Sequence, residues 1–262
     1  MVARVGLVPR SAASPQPKAP EPGAFVLQDR SEENHWPAVA VMLLVQTRPG
    51  ARLWGLSRVV LGASGARQVP GLRFARALGS GRDAGFGLLP SLQHQGLFTL
   101  FDDDASADAF LDRSPLLDAY RAHAAALWTA KLRATSCRGS WGGMRMAVTR
   151  SAEPGAPIAA LTRASIRPTR AWAFWRHSPS SQADLARADG CRLAVGLGEA
   201  PLLRQATFSL WDDAAAMDTY ARHGAHQAAI EASRTGCFFS ESMFVRFTPL
   251  RIEGHWPGGV HG

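Results

Sequence analysis

The chain has 262 residues, 46% of them apolar and 19% charged, enough to bury a sizeable core in one large or two small domains. Its net charge is +8, but Lys18 and Lys131 are the only lysines and the arginines are scattered without a basic helix or reader motif. That excludes a nucleic-acid partner and leaves coding bias, or a surface drawn to anionic lipid or an acidic protein. Cys137, Cys191 and Cys237 stand far apart with no Cys-x-x-Cys, which speaks against a zinc site or disulfide framework and for reduced thiols in a cytoplasmic protein.

The segment to His35 is rich in Pro, Ala, Ser and charge, as in Ser14-Pro-Gln-Pro-Lys-Ala-Pro-Glu-Pro22, and reads as a disordered lead-in without a signal-peptide pattern. Val39 to Val45 is an apolar run of strand length. Leu53, Leu56, Val59 and Val60 recur at helical spacing within Arg52 to Leu61. Leu72 to Leu78 and Leu97 to Phe101 read as short strands. Asp102-Asp-Asp104 caps a helix reaching Tyr120 and bent at Pro115, and Lys131 to Ala134 closes the unit as a weak strand. The Gly139 to Pro157 stretch is a linker. A second round follows: strand Ile158 to Ser165, a helix opened by Pro168 and running to about His177, strands Arg192 to Leu197 and Gln205 to Trp211, a helix from Ala214 through Arg222 toward Arg234, and a strand Met243 to Phe247. No apolar run approaches the ~18 residues needed to span a bilayer.

The two rounds align in two stretches. Gly71-Leu-Arg-Phe-Ala-Arg-Ala-Leu-Gly79 aligns with Gly190-Cys-Arg-Leu-Ala-Val-Gly-Leu-Gly198, an offset of 119 (190 − 71), and Phe98-Thr-Leu-Phe-Asp-Asp103 with Phe208-Ser-Leu-Trp-Asp-Asp213, an offset of 110 (208 − 98). The first half therefore carries a longer loop in its Gly-rich stretch, Gly79 to Gly87. Each round is β-α-β-β-α-β, the ferredoxin-like order. The expected fold is α+β: tandem ferredoxin-like units of the dimeric α/β-barrel type, with antiparallel sheets facing each other over an apolar chamber. The corresponding boundaries are 1–36 for the lead-in, 37–138 for the first unit, 139–156 for the linker, 157–250 for the second unit with the site, and 251–262 for a tail.

Leu161-Thr-Arg-Ala-Ser-Ile-Arg-Pro168, Phe174-Trp175-Arg176, the run Gly196 to Trp211, Asp212-Asp213-Ala214, His226 and Phe239 to Phe247 together resemble the spheroidene monooxygenase family. The first unit resembles it in outline, at Leu53-Trp54-Gly-Leu56 and Pro70-Gly-Leu-Arg-Phe74. The resemblance implies an oxygenase that inserts oxygen at C-2 of acyclic carotenoids, using molecular oxygen and reduced ferredoxin at a haem iron. It also implies a cytoplasmic enzyme meeting its substrate peripherally at the inner or photosynthetic membrane. Two rival readings stand beside it: a cofactor-independent oxygenase on the same barrel, and a non-catalytic haem or isoprenoid carrier.

Haem chemistry needs an axial ligand, cations for the propionates and an apolar pocket. His226 is the candidate ligand, its aligned position in the first unit being Leu116; His223 and His177 are runners-up, and a solvated or structural histidine is the plain alternative. Glu199 and Gln205 bracket Arg204 at a strand turn and are candidates for handling protons, against a surface ion pair between Glu199 and Arg204. Arg163, Arg167 and Arg204 are candidates for gripping haem carboxylates, or solvated arginines. Trp172, Phe174, Trp175, Phe208 and Trp211 are candidates for lining a polyene channel, or ordinary core. The Gly79 to Gly87 stretch lacks the Lys-Ser/Thr of a phosphate loop and reads as a flexible loop.

Overall fold

The computed structural model describes residues 25–26, 35–62, 65–85, 89–149, 152–175, 185, 188–200, 202–222 and 238–257. The first unit comprises β1 (Val39–Thr47), α1 (Arg52–Leu61), β2 (Leu72–Gly81), β3 (Pro90–Phe101), α2 (Asp104–Arg113), α3 (Pro115–His123) and β4 (Ala124–Gly139). The second comprises β5 (Ile158–Ile166), α4 (Ala171–Trp175), β6 (Cys191–Ala200), β7 (Arg204–Trp211), α5 (Ala214–Arg222) and β8 (Phe239–Gly254). Both sheets are antiparallel, with strand orders β4-β1-β3-β2 and β8-β5-β7-β6. These are the same order, the ferredoxin-like one expected from the repeat.

The sheets join edge to edge at both sides. β4 pairs with β8 from Gly139↔Met243 to Trp128↔Gly254. β2 meets β6 only at Gly79↔Gly198 and Ser80↔Leu197. The result is an eight-stranded barrel in which neither sheet leaves an open edge, as the dimeric α/β-barrel reading requires.

Side-chain alternation divides the core. In β1, Ala40, Met42 and Leu44 point into the barrel, while Val39, Val41, Leu43 and Val45 pack under α2 and α3 with Phe101, Phe110 and Tyr120. A smaller cluster under α5 gathers Ile158, Ala194, Trp211 and Met217. Because β1 is covered on both faces it is a continuous apolar run, and for that reason it is legible as a strand.

The duplication extends to local detail. Gly71 and Gly190, just before β2 and β6, have φ of +69° and +76°. Their carbonyls accept from the amides of Asp102 and Asp212 at 2.9 and 2.8 Å. A Cβ would lie 2.3 Å from Ser106 Oγ at Gly71 and 2.7 Å from Ala216 Cβ at Gly190, so only glycine fits either turn. Asp103 and Asp213 then cap α2 and α5, accepting from the amides of Ser106 and Ala216 at 2.7 and 2.8 Å.

Several expectations are corrected. The helix expected to bend at Pro115 is two helices, because Ser114 is extended and Pro115 opens α3 as a first-turn proline. The weak strand at Lys131 is the middle of a 16-residue strand, and the strand at Met243 belongs to another of 16 residues. Polar positions hid both: Lys131 is buried but paired with Asp104 and Asp108 at 2.9 and 2.8 Å. Arg251 to Gly254, assigned to the tail, finish β8 opposite Lys131 to Trp128. Within the lead-in, Phe25–Val26 pairs with Phe74–Ala75 of β2. His35–Trp36 pairs with Arg145–Met146 of the linker. Trp36 explains the second pairing: its ring lies 4.4 Å from Phe74 and 6.0 Å from Trp141.

The expected chamber between the sheets is filled. Trp36, Phe74, Phe98 and Trp141 pack together at one end, and Trp128 and Phe208 meet at 5.7 Å toward the other. Aromatic side chains this large leave the interior a packed core. Open space lies instead at the β2–β6 seam.

Candidate active site

The seam is narrow in pairing because glycines build it. Gly79 and Gly198 face each other, and beyond them the strands diverge, leaving a cavity of about 400 Å³. That size falls in the range of small-molecule sites, ~300–1,000 Å³. Leu56, Val59 and Val60 of α1 form one wall; Trp175 of α4 and Leu202 form the other. Arg76, His94, Gln95, Glu199 and Gln205 supply its polar groups.

Glu199 is the centre of a buried ionic chain. Its carboxylate accepts from Arg76 at 2.7 Å and from Arg163 Nε at 3.0 Å, and Arg163 Nη1 reaches Glu241 at 2.7 Å. The side chains of Arg76, Arg163 and Glu199 are 4%, 0% and 3% exposed. Glu199, weighed above as one half of a surface ion pair with Arg204, is instead part of a buried network crossing the seam. Arg163 lies over the Trp141 ring at 5.4 Å, so its guanidinium is sandwiched rather than presented to a ligand. Burial pushes the Glu241 carboxyl up, but the Gly143 and Gly142 amides, the Ser140 hydroxyl and Arg163 outweigh it and hold the group below its usual range.

His94 was missed from the sequence. Burial lowers its pKa against the opposing pull of Asp83, which disfavours the charged imidazole. Nδ1 lies 3.0 Å from Ser91 Oγ, and the ring meets Trp256 edge-on at 5.5 Å. Nε2 has no hydrogen-bond partner among the described residues. The Gln95 amide, 3% exposed, likewise has no partner on either atom among them. It lies under α1 where Gly55 brings the helix close: a Cβ there would be 3.0 Å from Gln95 Nε2.

Of the sequence candidates, Glu199, Gln205 and Trp175 line one cavity. Gln205 sits opposite Gly198 across the β6–β7 hairpin, and Trp175 Nε1 donates to the Leu202 carbonyl at 3.0 Å. Phe174 turns the other way, against Phe238 and Phe239. Trp172 is 74% exposed. Phe208 packs inside the barrel on Trp128, whereas Trp211 lies outside it against Tyr220 at 5.3 Å. Arg167 donates to the Phe239 carbonyl at 3.2 Å, and Arg204 is half-buried at the start of β7. His226, His223 and His177 lie outside the described residues. Cys191 is buried with its thiol pushed up to about 11, which makes it inert.

The packed barrel interior does not fit a porphyrin. The seam cavity combines an imidazole with an open nitrogen, an apolar wall and a buried ionic network beside it. No group of three or more His, Cys, Asp or Glu among the described residues could hold a bare metal ion.

No protein-family model matches the chain. It is 58% identical to the spheroidene monooxygenase of Rubrivivax gelatinosus over 224 residues, covering 86% of this chain and 87% of that protein. It is 34% identical to the spheroidene monooxygenase of Rhodobacter capsulatus over 209 residues, covering 78% of this chain and 87% of that protein. Among solved structures, an aldoxime dehydratase in complex with butyraldoxime superposes with a TM-score of 0.53 at 9% identity. That match covers 80% of this chain and 79% of the other, and bears on the fold alone.

Proposed function

The chain belongs to the spheroidene monooxygenase family, and from that premise we propose that it oxygenates an acyclic carotenoid such as spheroidene at C-2. Repeated hydroxylation of one carbon, followed by loss of water, gives a 2-keto product. Each hydroxylation consumes molecular oxygen with electrons from reduced ferredoxin, places one oxygen atom in a C–H bond and releases the other as water. The observation that carries this reading is 58% identity over 86% of the chain to a spheroidene monooxygenase.

In this reading the seam cavity takes the reacting end of the polyene. Leu56, Val59, Val60 and Trp175 grip an apolar chain that offers no hydrogen-bonding handle. Haem, when bound, supplies oxygen activation. His226 is the ligand implied by the family resemblance, and His94 is its rival on the cavity wall. Arg167 and Arg204 are the proposed partners of the haem carboxylates. Arg163 acts at one remove, fixing Glu199. Glu199 and Gln205 place a carboxylate and an amide at the cavity wall, where they hold and relay protons during reduction of oxygen. Because the substrate resides in a bilayer, the enzyme works at a membrane surface; no helix among the described residues is long and apolar enough to cross one.

Expression in cells that accumulate spheroidene and lack a ketolase tests the activity. A ketocarotenoid formed under air is the expected outcome, and its absence from cells containing folded protein would remove the reading. Absorbance of purified His226→Ala and His94→Ala tests the ligand: the true one loses the Soret band, and two unchanged spectra would reject both.

A further inference from the structure

The outward face of α1 is largely apolar. A helix lying on a sheet should present charged and polar residues to solvent. Here the outward positions are Leu53, Leu56, Val60 and Leu61, exposed by 84%, 43%, 67% and 73%. The inward contacts are made by Gly55, the one buried residue of the helix, and by Trp54, which packs on Tyr120. Thus Leu53, Leu56 and Val60 of the apolar repeat that reads as a core-facing stripe in the sequence face away from the core, and Val59 lines the cavity.

The repeat places a second helix in the same attitude. An offset of 119 carries Arg52, the first residue of α1, onto Ala171, the first of α4 (171 − 52). The same step sets Leu53 against Trp172 (172 − 53), both largely exposed, and Leu56 against Trp175 (175 − 56), both on the cavity wall. Leu92 and Leu202, 56% and 45% exposed, belong to the same wall, and Leu89 beside them is 58% exposed. The mouth of the cavity therefore has an apolar collar drawn from both halves. Scattered exposed leucines need no explanation, but a collar around one opening does.

The exposed charge that flanks both helices is basic. Arg52, which opens α1, and Arg170, just before α4, are exposed. Arg48 and Arg167 are themselves equivalent (167 − 48 = 119), each exposed just before its helix. An apolar surface with an aromatic residue and a basic surround is the composition that seats at an anionic lipid interface.

We propose that the outward faces of α1 and α4, with Leu53, Leu61, Leu89 and Trp172 at their rim, dock the enzyme on an anionic bilayer so that the seam cavity opens directly into the acyl region. The polyene then passes from lipid to cavity without crossing water. This rests on the seam cavity being the polyene site, and the two ideas are tested separately.

Co-sedimentation of the full chain with vesicles measures docking without any substrate. Wild-type protein is expected to bind phosphatidylcholine–phosphatidylglycerol vesicles, and to bind more weakly at high salt and to phosphatidylcholine alone. Leu53→Asn/Leu61→Asn, two exposed positions off the cavity wall, is expected to lower partitioning about tenfold or more with an unchanged melting temperature. The same variant should keep its turnover of detergent-dispersed carotenoid while losing turnover of carotenoid in vesicles. Wild-type protein that ignores anionic vesicles, or a double variant that binds them equally, would overturn the proposal. So would binding to native membranes but not to protein-free vesicles, which would assign the collar to a protein partner. Failure of the wild type on dispersed carotenoid would count against the cavity, not the docking face.

Discussion

The two halves of this barrel meet twice, and the meetings differ. At the β4–β8 joint the strands pair through eleven positions, from Gly139↔Met243 to Trp128↔Gly254. At the β2–β6 seam they pair through two, one of them Gly79↔Gly198. A long ladder pairs most backbone groups along both strands and leaves no room for a guest. A short one, held by glycines and by the Arg76–Glu199 ion pair, leaves side chains of both halves converging on open space. Duplication of a small unit thus supplies a rigid joint and a candidate reaction site from the same topology.

The largest expected effect of breaking this contrast comes at the ion pair. Glu199→Gln leaves the guanidiniums of Arg76 and Arg163 short of a counter-charge in a buried setting, and should cost about 3–5 kcal/mol in denaturant unfolding. A loss under about 1 kcal/mol would mean water reaches the network. On the packed side, Phe98→Ala should cost a comparable ~3–5 kcal/mol, because Phe98 is fully buried against Phe74, Trp141 and Phe247. Unlike Glu199→Gln, it should leave carotenoid binding by the surviving folded fraction intact.

Gly79→Leu sharpens the contrast from the other direction. A Cβ at Gly79 meets Val59 Cγ1 at 3.6 Å and the Gly198 carbonyl at 3.9 Å, ordinary contacts, so the fold should hold to within about 1 kcal/mol. The added side chain fills the cavity, and turnover should fall at least about tenfold. Unchanged turnover would move the site away from the seam.

The smallest effect is a slope. The His94 pKa is lowered in the folded chain, so the unfolded chain binds the proton first as pH falls below about 6.5. Stability present at neutral pH is then lost from that point downward until the folded imidazole also protonates. His94→Gln should flatten unfolding free energy over this range, and an equal slope in both proteins would show that the ring is already solvated.

Much of the fold is written in residue order. The pairing of Gly71 with Gly190 and of Asp102-Asp103 with Asp212-Asp213 marks equivalent turns and caps, because a left-handed backbone and an uncapped helix end each demand particular residue types. The candidate site was legible only in part. Glu199, Gln205 and Trp175 come from the family-like run and do share a cavity. His94 and Arg76 come from the half of the chain with fewer such signals, and nothing local marks them.

What the sequence determined by itself is the unit: its element order, its repetition and its two buried faces, all properties of neighbours along the chain. What only the tertiary structure decided is where space remains. Side-chain volume filled the chamber that periodicity suggested, Gly55 turned the apolar stripe of α1 outward, and the two-pair seam opened a cavity between residues more than a hundred positions apart, such as Arg76 and Glu199. Packing is a sum over the whole molecule, and no window of the sequence contains it.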